Sequence, residues 1–214
     1  MTSTQLKIDI VSDVVCPWCA VGYQRLKAAI DQEKLQDKVE IEWHPFELNP
    51  NMPAEGENLR SHLIRKYGIS TQDSIHNRNQ LIQLGNEVGF QFNFSDDMTI
   101  VNTRKAHTLL ELAKHTGQQT QLKLALLTAY FTDGQDVSTQ SVLEKIAHQV
   151  GLDPLQVQST LTDPYASERV AEKEQHWLKL GVNGVPTMVF NQQSALTGAQ
   201  SVAIYAKILK DLIA

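Results

Sequence analysis

Two cysteines separated by two residues are the part of this sequence with the clearest chemistry. They form the segment Cys16-Pro17-Trp18-Cys19, and the 214 residues contain no other cysteine. Thiols at this spacing can close a disulfide and reopen it, which is reversible two-electron redox chemistry. At the start of a helix, Cys16 would meet unpaired N–H groups and the positive end of the helix dipole, so we expect a depressed pKa. Cys19, one turn further on, would then release a mixed disulfide from Cys16.

Two other interpretations of the cysteine pair stay open at this point. A structural zinc site needs four ligands, but the sequence has no second Cys-x-x-Cys and no closely spaced pair of histidines. The histidines without shared ligand spacing are His44, His62, His76, His115, His148 and His176. The other interpretation is a pair of inert, buried cysteines. We predict no metal site and no cofactor.

The elements that position the pair are a strand before it and a helix after it. Leu6–Ser12 alternates apolar and polar residues and then becomes apolar, which predicts a strand that ends buried. Residues 20–30 carry apolar side chains at helical spacing, and Pro17 suits the first turn because it lacks an N–H. Residues 39–46 predict a second strand, which ends at a cluster of prolines and asparagines.

The remainder of the chain is a helical block followed by a short α/β segment. Residues 59–180 predict about five or six helices. Phe90, Phe92 and Phe94 alternate within this block, and we expect a short extended segment whose rings belong to the core rather than to a binding surface. Two short strands and a helix over 201–213 end the chain. This order of elements predicts the α/β fold class.

A second signal lies near the end of the chain, in Gly184-Val185-Pro186-Thr187. We predict that the Val185–Pro186 bond is cis and that the backbone of Val185 lies beside the cysteine pair. There its N–H and C=O could pair with an extended substrate. The alternative is a loop proline that only begins a strand.

Composition and charge exclude several classes of function. With 42% hydrophobic and 20% charged residues, the chain has the composition of a globular protein. Its net charge is −5 and its longest basic block is the pair Arg65-Lys66, so we expect no nucleic-acid partner and no membrane partner. The N-terminus lacks the features of a signal peptide, and no apolar run approaches the roughly 18 to 20 residues of a membrane span. We therefore expect a cytoplasmic protein.

Four segments give the chain a resemblance to a known family, and the resemblance extends from end to end. The segments are Asp13-Val-Val-Cys-Pro-Trp-Cys19, Asn102-Thr-Arg-Lys-Ala-His107, Tyr130-Phe-Thr-Asp-Gly134 and Gly184-Val-Pro-Thr187. They are similar to the FrnE branch of the DsbA-like thioredoxin-fold oxidoreductases. These are related to 2-hydroxychromene-2-carboxylate isomerases and to kappa-class glutathione transferases.

The resemblance implies a fold, a domain organisation and a set of site residues. The fold is a thioredoxin fold with a large all-helical insertion: residues 1–58 and 178–214 form the thioredoxin-like domain, and residues 59–177 form the insertion. By position, Cys16 is the nucleophilic cysteine, Cys19 the resolving cysteine and Pro186 the cis proline. The substrate-binding residues that we predict are Pro17, Trp18, Val185 and Pro186.

The sequence departs from the family pattern at two places near the cysteines. Thioredoxins and DsbA have a buried acid six residues before the first cysteine, and this position is Ile10 here. The proton acceptor for Cys19 must therefore be another group or water. Asp13 is the nearest candidate, although an acceptor role in the loop is the simpler expectation. Trp18 replaces the histidine of DsbA, which predicts a less oxidising pair. For His107, a role at the site is left open.

Three functional hypotheses follow. The leading hypothesis is a cytoplasmic thiol-disulfide oxidoreductase or isomerase that acts on protein or small-molecule thiols and disulfides, glutathione among them. The alternative is a glutathione-dependent isomerase or transferase of the 2-hydroxychromene-2-carboxylate isomerase or kappa-class type. Those enzymes typically have serine at the position of Cys16, so the two cysteines count against this alternative. The third hypothesis is a binding module whose disulfide is a passive redox sensor.

Overall fold

A computed structural model describes residues 6–213 and shows a four-stranded sheet with helices on both faces. The first part of the chain forms β1 (Leu6–Ser12), α1 (Pro17–Gln32), β2 (Val39–Pro45), β3 (Glu57–Asn58), α2 (Leu59–Tyr67), α3 (Thr71–Val88) and β4 (Thr99–Ile100). The second part forms α4 (Arg104–His115), α5 (Gln119–Phe131), α6 (Gln140–Gln149), α7 (Pro154–Thr162), α8 (Ala166–Lys179), β5 (Thr187–Phe190), β6 (Ser194–Thr197) and α9 (Val202–Ile213).

The sheet joins the two ends of the chain. Its strand order is β2-β1-β5-β6, in which β1 pairs with β2 in parallel and with β5 in antiparallel orientation. β1 therefore occupies the centre, and almost all its residues are buried, as the apolar end of its sequence predicts. The register places Ile10 opposite Met188 and Val11 opposite Thr187. This pairing brings the loop before β5 to the C-terminal end of β1, where the cysteines follow.

The two faces of β1 pack against different helices because successive side chains of a strand alternate. Ile8 and Ile10 lie in one apolar cluster with Leu26 of α1 and Leu209 of α9. Val11 lies in another cluster, with Trp177 of α8. The sheet is thus covered on both sides. The predicted α/β fold class, a thioredoxin fold with a helical insertion, is confirmed.

The helical block between β2 and β5 differs from the prediction in two details. Within the described range it has seven helices, α2 to α8, rather than the predicted five or six. It is also not wholly helical, since β4 within it pairs with β3 in a small antiparallel ladder. Its core is a continuous apolar cluster that includes Leu109, Leu126 and Phe131.

The three alternating phenylalanines do not form a strand. Phe90 and Phe92 are buried and contact each other and Phe131, so these two rings belong to the core as predicted. Phe94 is half-buried, stacks on Phe92 and lines a cavity described below. The core prediction is therefore incomplete for Phe94.

None of the helices within residues 6–213 combines the length and the apolar character that a bilayer-spanning segment requires.

Candidate active site

The cysteine pair lies at the junction between β1 and α1, as predicted. Cys16 is the residue that caps α1, Pro17 stands in its first turn, and the N–H of Cys19 donates to the carbonyl of Cys16 at 3.1 Å. Both cysteines are free thiols. Cys16 is 3% exposed and lines a cavity, whereas Cys19 is wholly buried behind it. A reagent that enters the cavity therefore meets Cys16.

The loop before β5 brings a backbone carbonyl to Cys16. The Cys16 thiol donates to the Val185 carbonyl oxygen, with a distance of 3.8 Å between Sγ and oxygen. The Val185–Pro186 bond is cis, as the sequence predicts. Gly22 of α1 permits the close packing of this loop, because a Cβ at Gly22 would lie 3.0 Å from Cγ of Pro186.

The acidity of the two thiols differs from the sequence prediction. The hydrogen bond to Cys19 and burial raise the pKa of Cys16, and the negative charge of a Cys19 thiolate acts in the same direction. Burial also opposes ionisation of Cys19, but its pKa is lowered by the Cys16 thiol, the charge of Lys123 and a hydrogen bond from Ser12. The expected depressed pKa of Cys16 is therefore wrong for the reduced pair. The neighbouring Cys19 thiol raises the pKa of Cys16 by more than the N–H groups at the helix N-terminus lower it.

Asp13 is a buried acceptor in the turn between β1 and α1. Its two carboxylate oxygens accept from the backbone N–H groups of Val14 at 2.7 Å and Leu48 at 2.8 Å. Burial raises its pKa, but the hydrogen bond and charge of His107, the Leu48 N–H and the charge of Lys123 together lower it. The simpler expectation, an acceptor that holds the loop, agrees with these contacts.

His107 of α4 is also brought to this turn. It is 1% exposed, and its Nε2 lies 3.3 Å from Oδ1 of Asp13. His107 is not among the described residues that line the cavity. It therefore acts on the site through Asp13, and Asp13 in turn contributes to the electrostatics of Cys16.

Lys123 of α5 lies at the site and was not predicted from the sequence. It is 1% exposed, and its ammonium lies 5.4 Å from the centroid of the Trp43 ring. Burial lowers the pKa of Lys123 to about 8, although the charges of Cys19, Asp13 and Cys16 act against this. A signal was present, because this lysine interrupts the apolar run from Leu122 to Leu127 in a helix that is buried on most sides.

A second side chain of α5 fixes this helix against the sheet. The Gln119 amide accepts from the N–H of Trp43 and donates to its carbonyl, both at 2.9 Å. Because β2 is the edge strand on that side, these bonds satisfy backbone groups that have no neighbouring strand. They place α5, and with it Lys123, beside the cysteine turn.

A cavity of about 400 Å³ opens next to Cys16, within the size range of small-molecule sites. Of the predicted substrate residues, Pro17, Trp18 and Val185 line it together with Cys16, whereas Pro186 lies behind Val185 and is not among the described lining residues. Trp18 is 44% exposed at the rim.

The other walls of the cavity come from the helical block, and their residues were not predicted from the sequence. They include Phe94, Tyr130, Arg78, Ser74 and His62. These residues follow Cys16 by 46 to 114 positions in the sequence, and they lie near the cysteines only in the folded chain. No local spacing links them to the Cys-x-x-Cys segment.

One group of side chains outside this site has metal-ligand chemistry. The parallel pairing of β1 and β2 brings Asp9, Glu42 and His44 within 4.8 Å of one another. Lys7 is 2.7 Å from Glu42 and 3.2 Å from Asp9, and Lys114 also pairs with Glu42. These carboxylates already form ion pairs with lysines, so the arrangement gives no support for a metal ion.

Comparisons with known proteins agree with this geometry. YwbO of Bacillus subtilis, an uncharacterized protein, is 26% identical over 205 residues, which cover 95% of this chain and 96% of that protein. The crystal structure of a probable DsbA oxidoreductase from Streptomyces coelicolor is 29% identical and has a TM-score of 0.90, over 97% of this chain and 89% of that chain.

A second structure is similar in fold alone. A 2-hydroxychromene-2-carboxylate isomerase is 18% identical and has a TM-score of 0.72, over 96% of this chain and 95% of that chain. A family model described as a DSBA-like thioredoxin domain matches residues 7–210, nearly the whole chain. The protein belongs to the DSBA-like thioredoxin domain family.

Proposed function

We propose that this protein is a thiol-disulfide oxidoreductase in which Cys16 attacks and Cys19 resolves. The observation that carries the proposal is the asymmetry of the pair: Cys16 lines the cavity and Cys19 lies wholly buried behind it. Family membership and the similarity to a probable DsbA oxidoreductase support this assignment.

Two exchange steps describe the reduction of a substrate disulfide. The Cys16 thiolate attacks one substrate sulfur, the substrate S–S bond breaks, and the other substrate sulfur leaves as a thiolate that takes up the proton of the Cys19 thiol. The Cys19 thiolate then attacks Sγ of Cys16, which releases the second substrate thiol and leaves the Cys16–Cys19 disulfide. The substrate gains two electrons and the cysteine pair loses two. Oxidation of a substrate dithiol is the reverse.

Charges at the site favour one thiolate on the pair. The charge of Lys123 lowers the pKa of Cys19, and Cys19 and Cys16 are joined by a side-chain hydrogen bond. Proton transfer along this bond moves the negative charge to Cys16, which lines the cavity. Lys123 thus favours formation of the attacking thiolate without touching the substrate.

The finer assignments are part of the same proposal. We place the protein in the FrnE branch because of its Cys16-Pro17-Trp18-Cys19 and Gly184-Val185-Pro186-Thr187 segments. We propose a cytoplasmic location and protein or small-molecule thiols and disulfides as partners, with isomerisation as a second outcome of the same exchange. Pro17, Trp18, Val185 and Pro186 are the proposed substrate-binding residues.

The test is catalysis of insulin disulfide reduction by dithiothreitol, with wild type, Cys16→Ser and Cys19→Ser compared at equal concentration. We expect turnover in the wild type and none in the Cys16→Ser variant. Absence of turnover in the wild type, both with insulin and with a small-molecule disulfide, would leave a passive sensor. A glutathione-dependent isomerase would instead convert 2-hydroxychromene-2-carboxylate with glutathione, and Cys19→Ser would leave that rate unchanged. Either result would overturn the proposal.

A further inference from the structure

Arg78 of α3 is a buried cation with unused hydrogen-bonding groups in the wall of the cavity. It is 8% exposed and lines the same cavity as Cys16. Its Nη1 donates to Oδ1 of Asp96 at 3.1 Å. Its Nε and Nη2 are buried and have no hydrogen-bond partner within the described part of the chain. Buried donors without a partner are costly, so an arginine in this state indicates a missing acceptor.

The charges around Arg78 leave a positive excess. Asp96 accepts hydrogen bonds from Arg60 as well as Arg78, so one carboxylate serves two guanidinium groups. The side chain of Asp96 is 80% exposed, and water therefore screens its charge. Burial and the charge of Arg60 lower the pKa of Arg78, against the influence of Asp96. An anion bound beside Arg78 in the cavity would offset both the cost of burying the guanidinium and its repulsion from Arg60.

A second unpartnered donor lies one helical turn from Arg78. Ser74 precedes it by four residues on α3, a spacing that puts both side chains on one face of the helix. Ser74 lines the cavity too, is 1% exposed, and its Oγ has no partner among residues 6–213. The hydroxyl and the guanidinium together form a site that can donate several hydrogen bonds to one planar anion.

The remaining walls of the cavity are mainly apolar and aromatic. Leu63, Leu81, Phe94 and Phe131 line it on the side of the helical block, and Trp18 lines it beside the cysteines. Phe94 lies 5.9 Å from the guanidinium of Arg78, which holds that cation against an aromatic ring. Such walls favour an apolar body and disfavour a strongly hydrated chain such as a polar peptide.

We propose that the cavity binds a small disulfide or thiol with an apolar, preferably aromatic body and a carboxylate that Arg78 and Ser74 hold, with its sulfur at Cys16. This inference rests on the proposed function and adds a substrate class to it. The guanidinium matches a planar carboxylate through two parallel hydrogen bonds, which an ammonium cannot reproduce. The redox step is the two-stage exchange given above.

The test compares two aromatic disulfides that differ in charge. The reduced protein is mixed with 5,5′-dithiobis(2-nitrobenzoate), which carries a carboxylate on each ring, and with neutral 4,4′-dithiodipyridine. Second-order rate constants are measured for wild type, Arg78→Met and Arg78→Lys, with Arg65→Met as the control. Arg65 is exposed and pairs with Glu57, so its variant removes the same charge outside the cavity.

We expect Arg78→Met to lower the rate constant for the carboxylate disulfide by about tenfold or more, the effect of one lost charged hydrogen bond. The neutral disulfide should react within about twofold of the wild type, which also shows that the variant is folded. Arg78→Lys should recover only part of the loss, and Arg65→Met should change neither rate substantially. Equal losses for both disulfides, or equal effects of Arg78→Met and Arg65→Met, would overturn the proposal.

A binding measurement separates this proposal from the proposed function. In the Cys16→Ser/Cys19→Ser variant no exchange can occur, and calorimetry with 2-nitro-5-thiobenzoate reports binding alone. We expect saturable binding that weakens by about tenfold when Arg78→Met is added. If binding occurs but the wild type reduces neither disulfide, the oxidoreductase assignment fails and the anion site stands. If both disulfides react but this anion does not bind, the anion site fails and the oxidoreductase assignment stands.

Discussion

Cys16 and Val185 face each other across 3.8 Å although 169 positions separate them in the chain. The pairing of β1 with β5 produces this meeting, because Val11 lies opposite Thr187 at the ends of the two strands. The cysteine turn and the loop before β5 therefore form one wall of the cavity, and the helical block supplies the others.

Removal of Cys19 should lower the pKa of Cys16. The hydrogen bond with Cys19 is the largest cause of the raised pKa of Cys16, and the Cys19 charge acts in the same direction. In Cys19→Ala, alkylation of Cys16 by iodoacetamide should therefore reach half its maximal rate at a lower pH than in the reduced wild type. The variant should also accumulate mixed disulfides at Cys16, seen by mass spectrometry. A higher midpoint in Cys19→Ala would mean that Cys19 stabilises the Cys16 thiolate.

Replacement of Lys123 should make the cysteine pair harder to ionise. Its charge lowers the pKa of Cys19, and methionine keeps much of the side-chain volume without the charge. Titration of thiolate absorbance at 240 nm should show the first ionisation of Lys123→Met at a higher pH than in the wild type. Lys105→Met removes an exposed charge on α4 and is the control. Identical titrations of the three proteins would remove Lys123 from the site.

The buried ammonium should also give stability a characteristic pH dependence. Lys123 has a pKa of about 8 when folded, against 10.5 as its ordinary value. Between these values the unfolded chain binds the proton and the folded one does not, so stability rises with pH across this interval. The total rise is about 3 kcal/mol from this group. In the oxidised protein no cysteine charge supports the ammonium, so the pKa of Lys123 should lie lower still and the rise should begin at a lower pH. Urea unfolding of the oxidised protein should show this rise in the wild type but not in Lys123→Met.

Gly22 should tolerate little enlargement because of its distance from Pro186. A Cβ at Gly22 would lie 3.0 Å from Cγ of Pro186 and 3.4 Å from Cε of Met188. Gly22→Val should reduce the free energy of unfolding by about 1 to 3 kcal/mol, the usual cost of overpacking. Ala28→Val, at an exposed position of the same helix, measures the cost of the branched side chain alone, about 0.5 kcal/mol. Equal losses of unfolding free energy in the two variants would show that the close approach of Gly22 to Pro186 does not limit the size of the side chain there.

The parts of the site that could be predicted from the sequence are those encoded locally. The strand Leu6–Ser12, the helix that begins after Cys16 and the cis bond at Pro186 each follow from a short segment. The alternation of side chains along a strand, the spacing of side chains on a helix and the restricted backbone of proline all act over a few residues, so a short segment is enough to predict them.

The parts that could not be predicted depend on contacts between distant segments. Arg78, Ser74 and Lys123 reach the site only because α3 and α5 pack beside the cysteine turn. The prediction of a depressed pKa for Cys16 was wrong for a related reason. The position of Cys16 at a helix N-terminus was apparent from the sequence, but the hydrogen bond with Cys19 depends on the folded geometry.

The central position of β1 in the sheet has a consequence for biosynthesis. Its neighbour β5 comes from residues 187–190, so a ribosome must complete all seven helices between β2 and β5 before the sheet can close. Contacts with such large sequence separation form late and slowly. The nascent chain therefore carries both cysteines without the Val185 carbonyl in place until the whole helical block has been made. The redox site is completed only after β5 has been made, so chains that stop before β5 should be poor catalysts even when their helical block has folded.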